Sequence, residues 1–445
     1  MELERIGHED PILQLPTSLQ TLMRFERFHL YNLRFHQQAA SDPTSDVRYL
    51  PQNSGVFTLP CYWVHRKHLY LYGCHSECLD RLTWFDHCRS RERIVFPVHP
   101  MSMARYRPFL SATDAQDTTK EVPRILAVPT SSVRTLLAWP EYSPDKAVFL
   151  KTSLSLPMVG DRNIHASKIG YAVGLSKLVQ ESLATLPSAL GYLPESAGFV
   201  PRRHIDSGVI IRSIPTEVME GRTVIAPLFS LIGGSGIHKP LLLTIIERSG
   251  TEPLRFVEDL LCEKFSRLWL ELSMQFGLLP EVHGQNLLLA LSPDLTPLGR
   301  FLYRDFDGLL VDWRLRRVRG LLDPRNMPYA WSWYESYGAL LAGAPYVELA
   351  WWKLKVSLYA YLYFLEEELS QCMQKWHVTG LIGGPKFQDG DLTRIFSRHM
   401  MKAVEVLFGV RVRPEYNIYG SLNKFMMVLL QIRKELIAGK PRLLP

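Results

Sequence analysis

Residues 281–308, EVHGQNLLLALSPDLTPLGRFLYRDFDG, contain side chains that suit a metal and a polyphosphate. The apolar runs 287–291 and 301–303 lie on either side of a segment with two prolines, which predicts a β-hairpin. In an antiparallel hairpin, the start of the first strand lies beside the end of the second. The polar residues that then meet at the end away from the turn are His283, Gln285, Asn286, Arg304, Asp305 and Asp307. These residue types favour metal and phosphate binding, and a solvated polar hairpin end is the alternative.

A second set of candidates accompanies two predicted strands at 125–128 and 147–150. Hydroxyl-bearing and cationic side chains lie between and after these strands, at Thr130, Ser131, Ser132, Arg134, Thr135, Lys151, Thr152, Ser153, Ser155 and Arg162. Strand alternation places Lys151, Ser153 and Ser155 on one face. Because Arg and Lys neutralise phosphate oxygens and short side chains let the backbone come close, the set favours triphosphate binding. An exposed strand face with solvated cations is the alternative.

At 445 residues, the chain is long enough for two or three packed subdomains. The helices and strands of these subdomains would position both candidate sets. Hydrophobic residues make up 47% and charged residues 21%, which argues against disorder. Apolar spacing predicts helices over 17–38, 256–276, 347–376, 392–408 and 421–438. Further strands are predicted over 94–98, 208–215 and 223–229. A histidine at the end of the first of these, His99, is more typical of a structural role than of a cleft.

The net charge of +7 and the pI near 9.0 predict attraction of anions such as ATP or a polycarboxylate. The cationic residues are spread along the chain without a dense block, so nucleic-acid binding is the weaker prediction. No apolar run approaches the roughly 18 to 20 residues of a membrane span, and the first residues lack a secretory pattern. Six cysteines do not make a disulfide framework, so we expect a reduced, cytoplasmic protein.

One segment is rich in potential zinc ligands. Its members are Cys61, His65, His68, Cys74, His75, Cys78, His87 and Cys88. Their spacing fits no zinc-finger pattern, and the Tyr, Leu and Trp residues between them are typical of a core. A packed core segment is therefore favoured over a metal site.

Several phrases resemble, in this order, the NRPS-independent siderophore synthetases of the aerobactin-synthetase type. They are PVHP at 97–100, PTSSVRT at 129–135, KTSLSLP from Lys151 leading to Arg162, Glu281 with HGQN at 283–286, and RDFDG at 304–308. The resemblance runs from about residue 94 to the C-terminus. It implies a cytoplasmic ligase that uses ATP and Mg²⁺ to adenylate a carboxylate, typically citrate or a derivative. An amine or hydroxylamine then captures the acyl adenylate and AMP is released, in siderophore or related metallophore biosynthesis.

The resemblance also implies an α+β fold shaped like a cupped hand. We expect a shortened thumb over 1–110, β-rich fingers over 111–255, and a mainly helical palm over 256–445 that carries the catalytic hairpin 283–308. In the family the nucleotide lies between fingers and palm, and members often form homodimers through the palm. The implied partners are small carboxylate and amine substrates.

The site residues that the resemblance implies fall in both candidate sets. Ser132, Arg134 and Thr135, with Thr130, match the nucleotide-binding loop. Lys151 and Arg162 match the cations that contact phosphate and carboxylate, and His283 matches the histidine near the α-phosphate. The magnesium-side pair corresponds to Asn286 and Asp305, with Glu281 in support.

The chain departs from the family pattern in two places. The family's G-H-P-x-H-P stretch is represented only by the loose echo VHRKHLYLYG at 64–73, and the region before PVHP is shorter by well over a hundred residues. The interval from Lys151 to Arg162 is about one residue tighter, and Gly160 and Asp161 replace small hydroxyl residues. The choice of acid and amine therefore does not transfer, and Arg162 is less firmly matched than Arg134.

Two other functions are compatible with parts of the sequence. RDFDG after a hairpin is reminiscent of kinase catalytic segments, but no G-x-G-x-x-G loop precedes a strand lysine. A shortened relative that binds nucleotide or a partner enzyme without catalysis is the second alternative. The released nucleotide separates these functions: AMP with pyrophosphate for the ligase, ADP for the kinase, and neither for the binding protein.

Overall fold

The computed structural model describes residues 11–29, 46–52, 55–73, 92–117, 124–154, 163–182, 186–187, 189–233, 239–321, 346–384, 388–412 and 418–439. The chain divides into two compact units. Unit 1 contains residues 1–177 and 193–235, and unit 2 contains residues 178–192 and 236–445. The division into three parts at residues 110 and 255 stays a prediction.

The described strands are β1 (Phe57–Thr58), β2 (Cys61–His65), β3 (Leu69–Tyr72), β4 (Arg93–Pro97), β5 (Gln116–Asp117), β6 (Ile125–Pro129), β7 (Thr135–Pro140), β8 (Val148–Thr152), β9 (Leu190–Tyr192), β10 (Glu195–Pro201), β11 (Val209–Arg212), β12 (Val224–Pro227), β13 (Leu278–Leu279), β14 (Leu287–Leu291), β15 (Pro297–Tyr303) and β16 (Leu310–Val311). The described α-helices are α1 (Thr17–Phe28), α2 (Met103–Ala112), α3 (Ala166–Glu181), α4 (Thr216–Met219), α5 (Leu228–Ile232), α6 (Leu241–Ser249), α7 (Pro253–Val257), α8 (Phe265–Leu270), α9 (Trp313–Val318), α10 (Tyr346–Tyr363), α11 (Gln371–Val378), α12 (Asp391–Phe408) and α13 (Leu422–Ile437). Three π-helical segments continue these helices, at Glu258–Lys264, Glu271–Gln275 and Phe364–Ser370. This mixture confirms the predicted α+β class.

Unit 1 is built on a seven-stranded antiparallel sheet with the order β1-β6-β7-β8-β11-β10-β3. One face packs against a smaller sheet, β4-β2-β5, and against α2. Leu136 and Leu150 point into this core, where the ring of Phe96 contacts Phe199 and Tyr106 at centroid distances of 5.5 Å. Because side chains alternate along a strand, the neighbours of these leucines project from the opposite face.

Unit 2 holds the predicted hairpin. Strands β14 and β15 pair antiparallel, with Leu287 opposite Tyr303, and β9 runs parallel to β15. Helices α8, α10 and α12 pack together through aromatic rings, since Phe265 stacks on Tyr361 at 3.7 Å and Tyr361 lies 5.7 Å from Phe396. The Phe265 ring also lies 6.0 Å from the ring of Phe301 in β15, so the hairpin packs on this helical layer.

The predicted helices over 256–276, 347–376, 392–408 and 421–438 are present in unit 2, although π-helical segments interrupt the first two. The helix predicted over 17–38 ends at Phe28, and residues 30–38 lie outside the described residues. Strand β7 was not predicted, because the continuous apolar run LLAW has no alternation by which to recognise it. Among the described residues, no helix is long and apolar enough to cross a bilayer.

Candidate active site

The turn between β6 and β7, residues 130–135, closes on itself through its backbone. Three backbone N–H groups donate hydrogen bonds to carbonyls of the turn. Thr130 N–H donates to Thr135 (2.8 Å), Val133 N–H to Thr130 (3.0 Å), and Arg134 N–H to Ser132 (2.7 Å). Two more N–H groups donate to hydroxyls of the turn, Ser132 N–H to Thr130 Oγ1 (3.4 Å) and Thr135 N–H to Ser132 Oγ (3.1 Å). The sixth N–H group, that of Ser131, donates to Glu26 Oε2 (3.2 Å).

All six backbone N–H groups of the β6–β7 turn therefore have partners within the protein. In a P-loop, by contrast, backbone N–H groups point at the phosphates. The candidate donors for an anion are therefore side chains, among them the Arg134 guanidinium and the Ser132 hydroxyl, which also lies 3.3 Å from Thr130 Oγ1. The expectation that short side chains let the backbone approach a phosphate gains no support from this arrangement.

The backbone on either side of Arg134 is tightly held. Val133 is fully buried and adopts a left-handed conformation (φ 62°), which is strained for a β-branched residue. The Arg134 carbonyl accepts hydrogen bonds from both the N–H and the hydroxyl of Thr152, each at 2.9 Å. The backbone from which the Arg134 side chain extends is therefore held in place.

Lys151 lies in the same region of unit 1. In the pairing of β7 with β8, it is directly opposite Thr135, so the two side chains share one face of the sheet. Lys151 is 2% exposed and Arg134 is 9% exposed. The structure therefore brings together Thr130, Ser132, Arg134, Thr135 and Lys151 of the predicted set.

Ser153 does not extend this face as predicted. Strand β8 ends at Thr152, and the Ser153 hydroxyl accepts a hydrogen bond from Ile164 N–H (2.9 Å) and lies 3.2 Å from the Gly208 carbonyl. The Ser153 hydroxyl therefore links two backbone segments, because these bonds use its donor and an acceptor position. Ser155 and Arg162 lie outside the described residues.

In unit 2 the open end of the hairpin gathers the other predicted residues. Arg304 N–H donates to the Asn286 carbonyl (3.0 Å), and Arg304 Nε donates to the Gln285 carbonyl (2.8 Å). The segment leading into β14 is a compact turn, in which Asn286 N–H donates to the His283 carbonyl (2.9 Å). The predicted meeting of the two strand ends is confirmed.

Tyr303 connects the acidic residues of this end, a role that no sequence pattern predicts. Its hydroxyl accepts a hydrogen bond from Glu281 N–H (3.1 Å) and donates to the Asp305 carbonyl (3.3 Å). A Cβ on Gly308 would lie 2.5 Å from Glu281 Oε2, so a side chain there would displace this carboxylate. The glycine that ends RDFDG was the available sequence signal for this close approach.

His283 is poised as a neutral hydrogen-bond donor. Its Nδ1 accepts a hydrogen bond from Gln285 N–H (3.2 Å), which leaves the proton of the neutral ring on Nε2. Burial lowers the pKa of His283, and the carboxylates of Glu281 and Asp305 only partly oppose this. Near neutral pH the imidazole would therefore donate to a phosphate oxygen without contributing a positive charge.

The oxygen donors at the hairpin end fit Mg²⁺. Asp305 and Glu281 supply carboxylates and Asn286 an amide, and hard cations prefer oxygen ligands. Asn286 is 2% exposed, and its Nδ2 has no hydrogen-bond partner within the described chain. Because amide O and N positions are assigned from the surroundings, either orientation leaves one buried amide atom for a ligand to satisfy.

Asp305 adopts a left-handed backbone conformation (φ 82°, ψ 67°), which aspartate tolerates at some cost. Across the described residues, no three His, Cys, Asp or Glu side chains are grouped so as to hold a metal by themselves. Magnesium is commonly bound through one or two carboxylates together with water and substrate phosphates, so this result agrees with the donor set.

The predicted Cys/His segment is described only in part. Cys61 is buried in β2, and burial raises the pKa of its thiol. His65 and His68 have ring centroids 6.3 Å apart, and His65 Nδ1 accepts from Lys67 N–H (3.2 Å). Cys74 to Cys88 lie outside the described residues, so a metal site in this segment stays a hypothesis.

Comparison with known proteins gives a consistent answer. Residues 36–233 match the IucA / IucC family. The sequence matches no curated protein. The fold is shared with several solved structures, and the similarity extends over nearly all of this chain.

Three of these structures are two aerobactin synthetases and a petrobactin biosynthesis protein. ATP-bound aerobactin synthetase IucA from a hypervirulent pathotype of Klebsiella pneumoniae is 16% identical, with a TM-score of 0.58 over 91% of this chain and 74% of that one. Aerobactin synthetase IucC from the same source is 17% identical, with a TM-score of 0.61 over 95% and 77%. The petrobactin biosynthesis protein AsbB from Bacillus anthracis str. Sterne is 14% identical, with a TM-score of 0.62 over 98% and 76%. These matches confirm the family resemblance predicted from the sequence. The family match covers residues 36–233, whereas the predicted resemblance runs from about residue 94 to the C-terminus.

Proposed function

We propose that this chain, whose residues 36–233 match the IucA / IucC family, is an ATP-dependent ligase that joins a carboxylate to an amine or hydroxylamine. The substrate class is a polycarboxylate such as citrate or a derivative, and the pathway is siderophore or metallophore biosynthesis. The observation that carries the proposal is the open end of the β14–β15 hairpin. There a neutral histidine donor, oxygen ligands and a buried, unsatisfied amide lie together.

The reaction has two steps. A carboxylate oxygen attacks the α-phosphorus of ATP, and the bond to the β-phosphate oxygen breaks to release pyrophosphate. The amine nitrogen then attacks the acyl carbon, the bond to AMP breaks, and the amine loses a proton. Bound Mg²⁺ would neutralise phosphate charge in the first step.

The protein residues act by orienting and stabilising charge. Arg134 and Lys151 neutralise phosphate oxygens, while the Ser132 hydroxyl donates a hydrogen bond without a backbone contribution. His283 donates from Nε2 to an α-phosphate oxygen, where negative charge increases in the transition state. Asp305, Asn286 and Glu281 are the residues that would hold the metal. No covalent enzyme intermediate is required.

The test is carboxylate-dependent exchange of pyrophosphate into ATP, with citrate and 2-oxoglutarate among the acids. We expect exchange with at least one polycarboxylate and release of AMP in the complete reaction. Release of ADP would identify a kinase-like phosphotransferase. ATP binding without either product would identify a catalytically impaired relative that acts as the partner of another enzyme.

Substitutions test whether the exchange activity depends on the two candidate residue sets. Arg134→Ala and His283→Ala should each reduce the exchange rate by about 100-fold or more, as removal of one charge-stabilising donor usually does. Arg124→Ala is the matched control in unit 1, because Arg124 is exposed and pairs with Glu141 at the surface. His377→Ala is the control in unit 2, because the half-buried His377 lies outside the hairpin and its Nε2 is 3.0 Å from the Gly384 carbonyl. Full activity in both site variants would contradict the assignment.

We assign the reaction to the cytoplasm, where ATP and both small substrates are available. A homodimer formed through the palm remains part of the proposal. Sedimentation of the purified protein at several concentrations would test it, since a dimer gives a concentration-dependent mass.

A further inference from the structure

The carboxylate of Glu26, in α1, is fully buried and hydrogen-bonded to the β6–β7 turn. Its Oε2 accepts from both the N–H (3.2 Å) and the hydroxyl (2.5 Å) of Ser131, which lies 105 positions later in the chain. Ser131 is 1% exposed. Hydrogen bonds to an ionised acceptor are about twice as strong as those between neutral groups, and burial strengthens them further.

The bond to Glu26 differs from the other N–H bonds of the turn. Five of the six backbone N–H groups of residues 130–135 are bonded within the turn, and only that of Ser131 is bonded outside it. Because the turn is bonded internally, an external bond to the Ser131 amide restrains the turn as a unit. The turn has a further external attachment in the bonds of Thr152 to the Arg134 carbonyl.

Helix α1 is itself fixed within unit 1. Ser18 donates to the Val218 carbonyl, Arg27 Nε donates to the Pro51 carbonyl (2.9 Å), and His29 Nδ1 lies 3.2 Å from the Gly233 carbonyl. Leu19, Leu22, Met23 and Phe25 are buried around these bonds. Glu26 therefore projects from a rigid support.

We infer that Glu26 is a positioning residue for nucleotide recognition, which acts through Ser131 to orient the Ser132 hydroxyl and the Arg134 guanidinium. The inference rests on the proposed function, in that the β6–β7 turn binds the phosphates of ATP. Glu26 lies before the segment 36–233 that matches the family, so the match does not assign it a role.

The experiment measures the dissociation constant for Mg²⁺·ATP by calorimetry in the full-length protein. Glu26→Gln keeps the size of the side chain and removes its charge, and Ser131→Ala removes the hydroxyl donor. Each variant should weaken binding about three- to tenfold, as loss of one charge-assisted bond implies. The double variant should be no more than about twofold weaker than the worse single variant, because both changes remove the same contact.

Glu195→Gln is the matched control. Glu195 is also a fully buried carboxylate of unit 1, but it pairs with Arg212 at 2.7 Å instead of with the turn. Its substitution should lower the midpoint of thermal unfolding and leave the affinity for Mg²⁺·ATP unchanged. An equal loss of affinity in this control would overturn the inference, because any lost buried charge would then have the same effect.

Hydrogen exchange of the peptide containing residues 130–135 separates this inference from the proposed function. Faster exchange is expected in Glu26→Gln than in the wild type and in Glu195→Gln. If the wild type fails to bind Mg²⁺·ATP, the proposed function is wrong, and exchange still shows whether Glu26 orders the turn. If the wild type binds and Glu26→Gln binds equally well, or exchange in the turn is unchanged, the inference is wrong by itself.

Discussion

Replacing His99 should reduce the loss of unfolding free energy that the protein shows between pH 7 and pH 5. His99 is fully buried at the end of β4, where its Nδ1 accepts from Met101 N–H (3.2 Å). Its Nε2 has no hydrogen-bond partner of normal geometry among the residues described. Burial lowers the pKa of His99 to about 4, although the neighbouring Val133 backbone acts in the opposite direction.

The sign of the effect follows from proton binding. In the unfolded chain the imidazole has a pKa of about 6.5, so between pH 6.5 and 4 the unfolded state binds a proton that the folded state does not. The contribution of His99 to stability is therefore complete above pH 6.5 and is lost as the pH falls toward 4. Between pH 7 and pH 5 the expected loss is about 2 kcal/mol.

The assay is urea unfolding at pH 7 and pH 5 for the wild type and His99→Gln. The amide cannot be protonated in this range, so the difference in free energy of unfolding between the two pH values should be about 2 kcal/mol smaller in the variant. Carbon-13 NMR of labelled histidine gives a second reading, in which the resonance missing from His99→Gln should not titrate between pH 5 and 8 in the wild type. Equal pH dependence in the two proteins, or titration of that resonance near 6.5, would refute the reasoning.

Three further outcomes are expected in unit 2. Asp305→Gly should raise the free energy of unfolding by about 0.5–1 kcal/mol, since glycine adopts φ 82° without strain, and should abolish pyrophosphate exchange. Gly308→Ala should raise the Michaelis constant for ATP because its Cβ displaces the Glu281 carboxylate, whereas Gly383→Ala, with open space around it, should not. Asp312→Asn should cost about 3 kcal/mol of stability in urea unfolding, because it leaves a buried arginine without its anionic partner, and unchanged stability would contradict this.

The sequence was sufficient for the elements that have a strong local pattern. The hairpin followed from two short apolar runs and two prolines, and its register then placed Asn286 beside Arg304. The helices of unit 2 followed from apolar periodicity. The start of α13 after Ser421 was predicted correctly, although the Ser421 side chain makes no capping hydrogen bond to the helix.

Other features depend on contacts between distant parts of the chain. The bond from Glu26 to Ser131 spans 105 positions and has no local signature. The left-handed conformations of Val133 and Asp305 arise where surrounding structure holds residues that would avoid them in isolation. Ser153 has the right type and spacing for a phosphate ligand, but neighbouring backbone groups occupy its hydroxyl. Residue types thus predicted the two candidate sets better than they predicted the use of each side chain.

The self-contained bonding of the β6–β7 turn has a practical consequence for redesign. In a loop that grips its ligand through main-chain amides, any change of specificity requires a new path for the chain. In this turn the backbone amides are already satisfied, so under the proposed function recognition falls to side chains. Ser132 belongs to both parts, because its hydroxyl accepts from Thr135 N–H. Replacing Arg134 should therefore alter which anion is accepted while the loop keeps its shape, whereas position 132 must keep its hydroxyl.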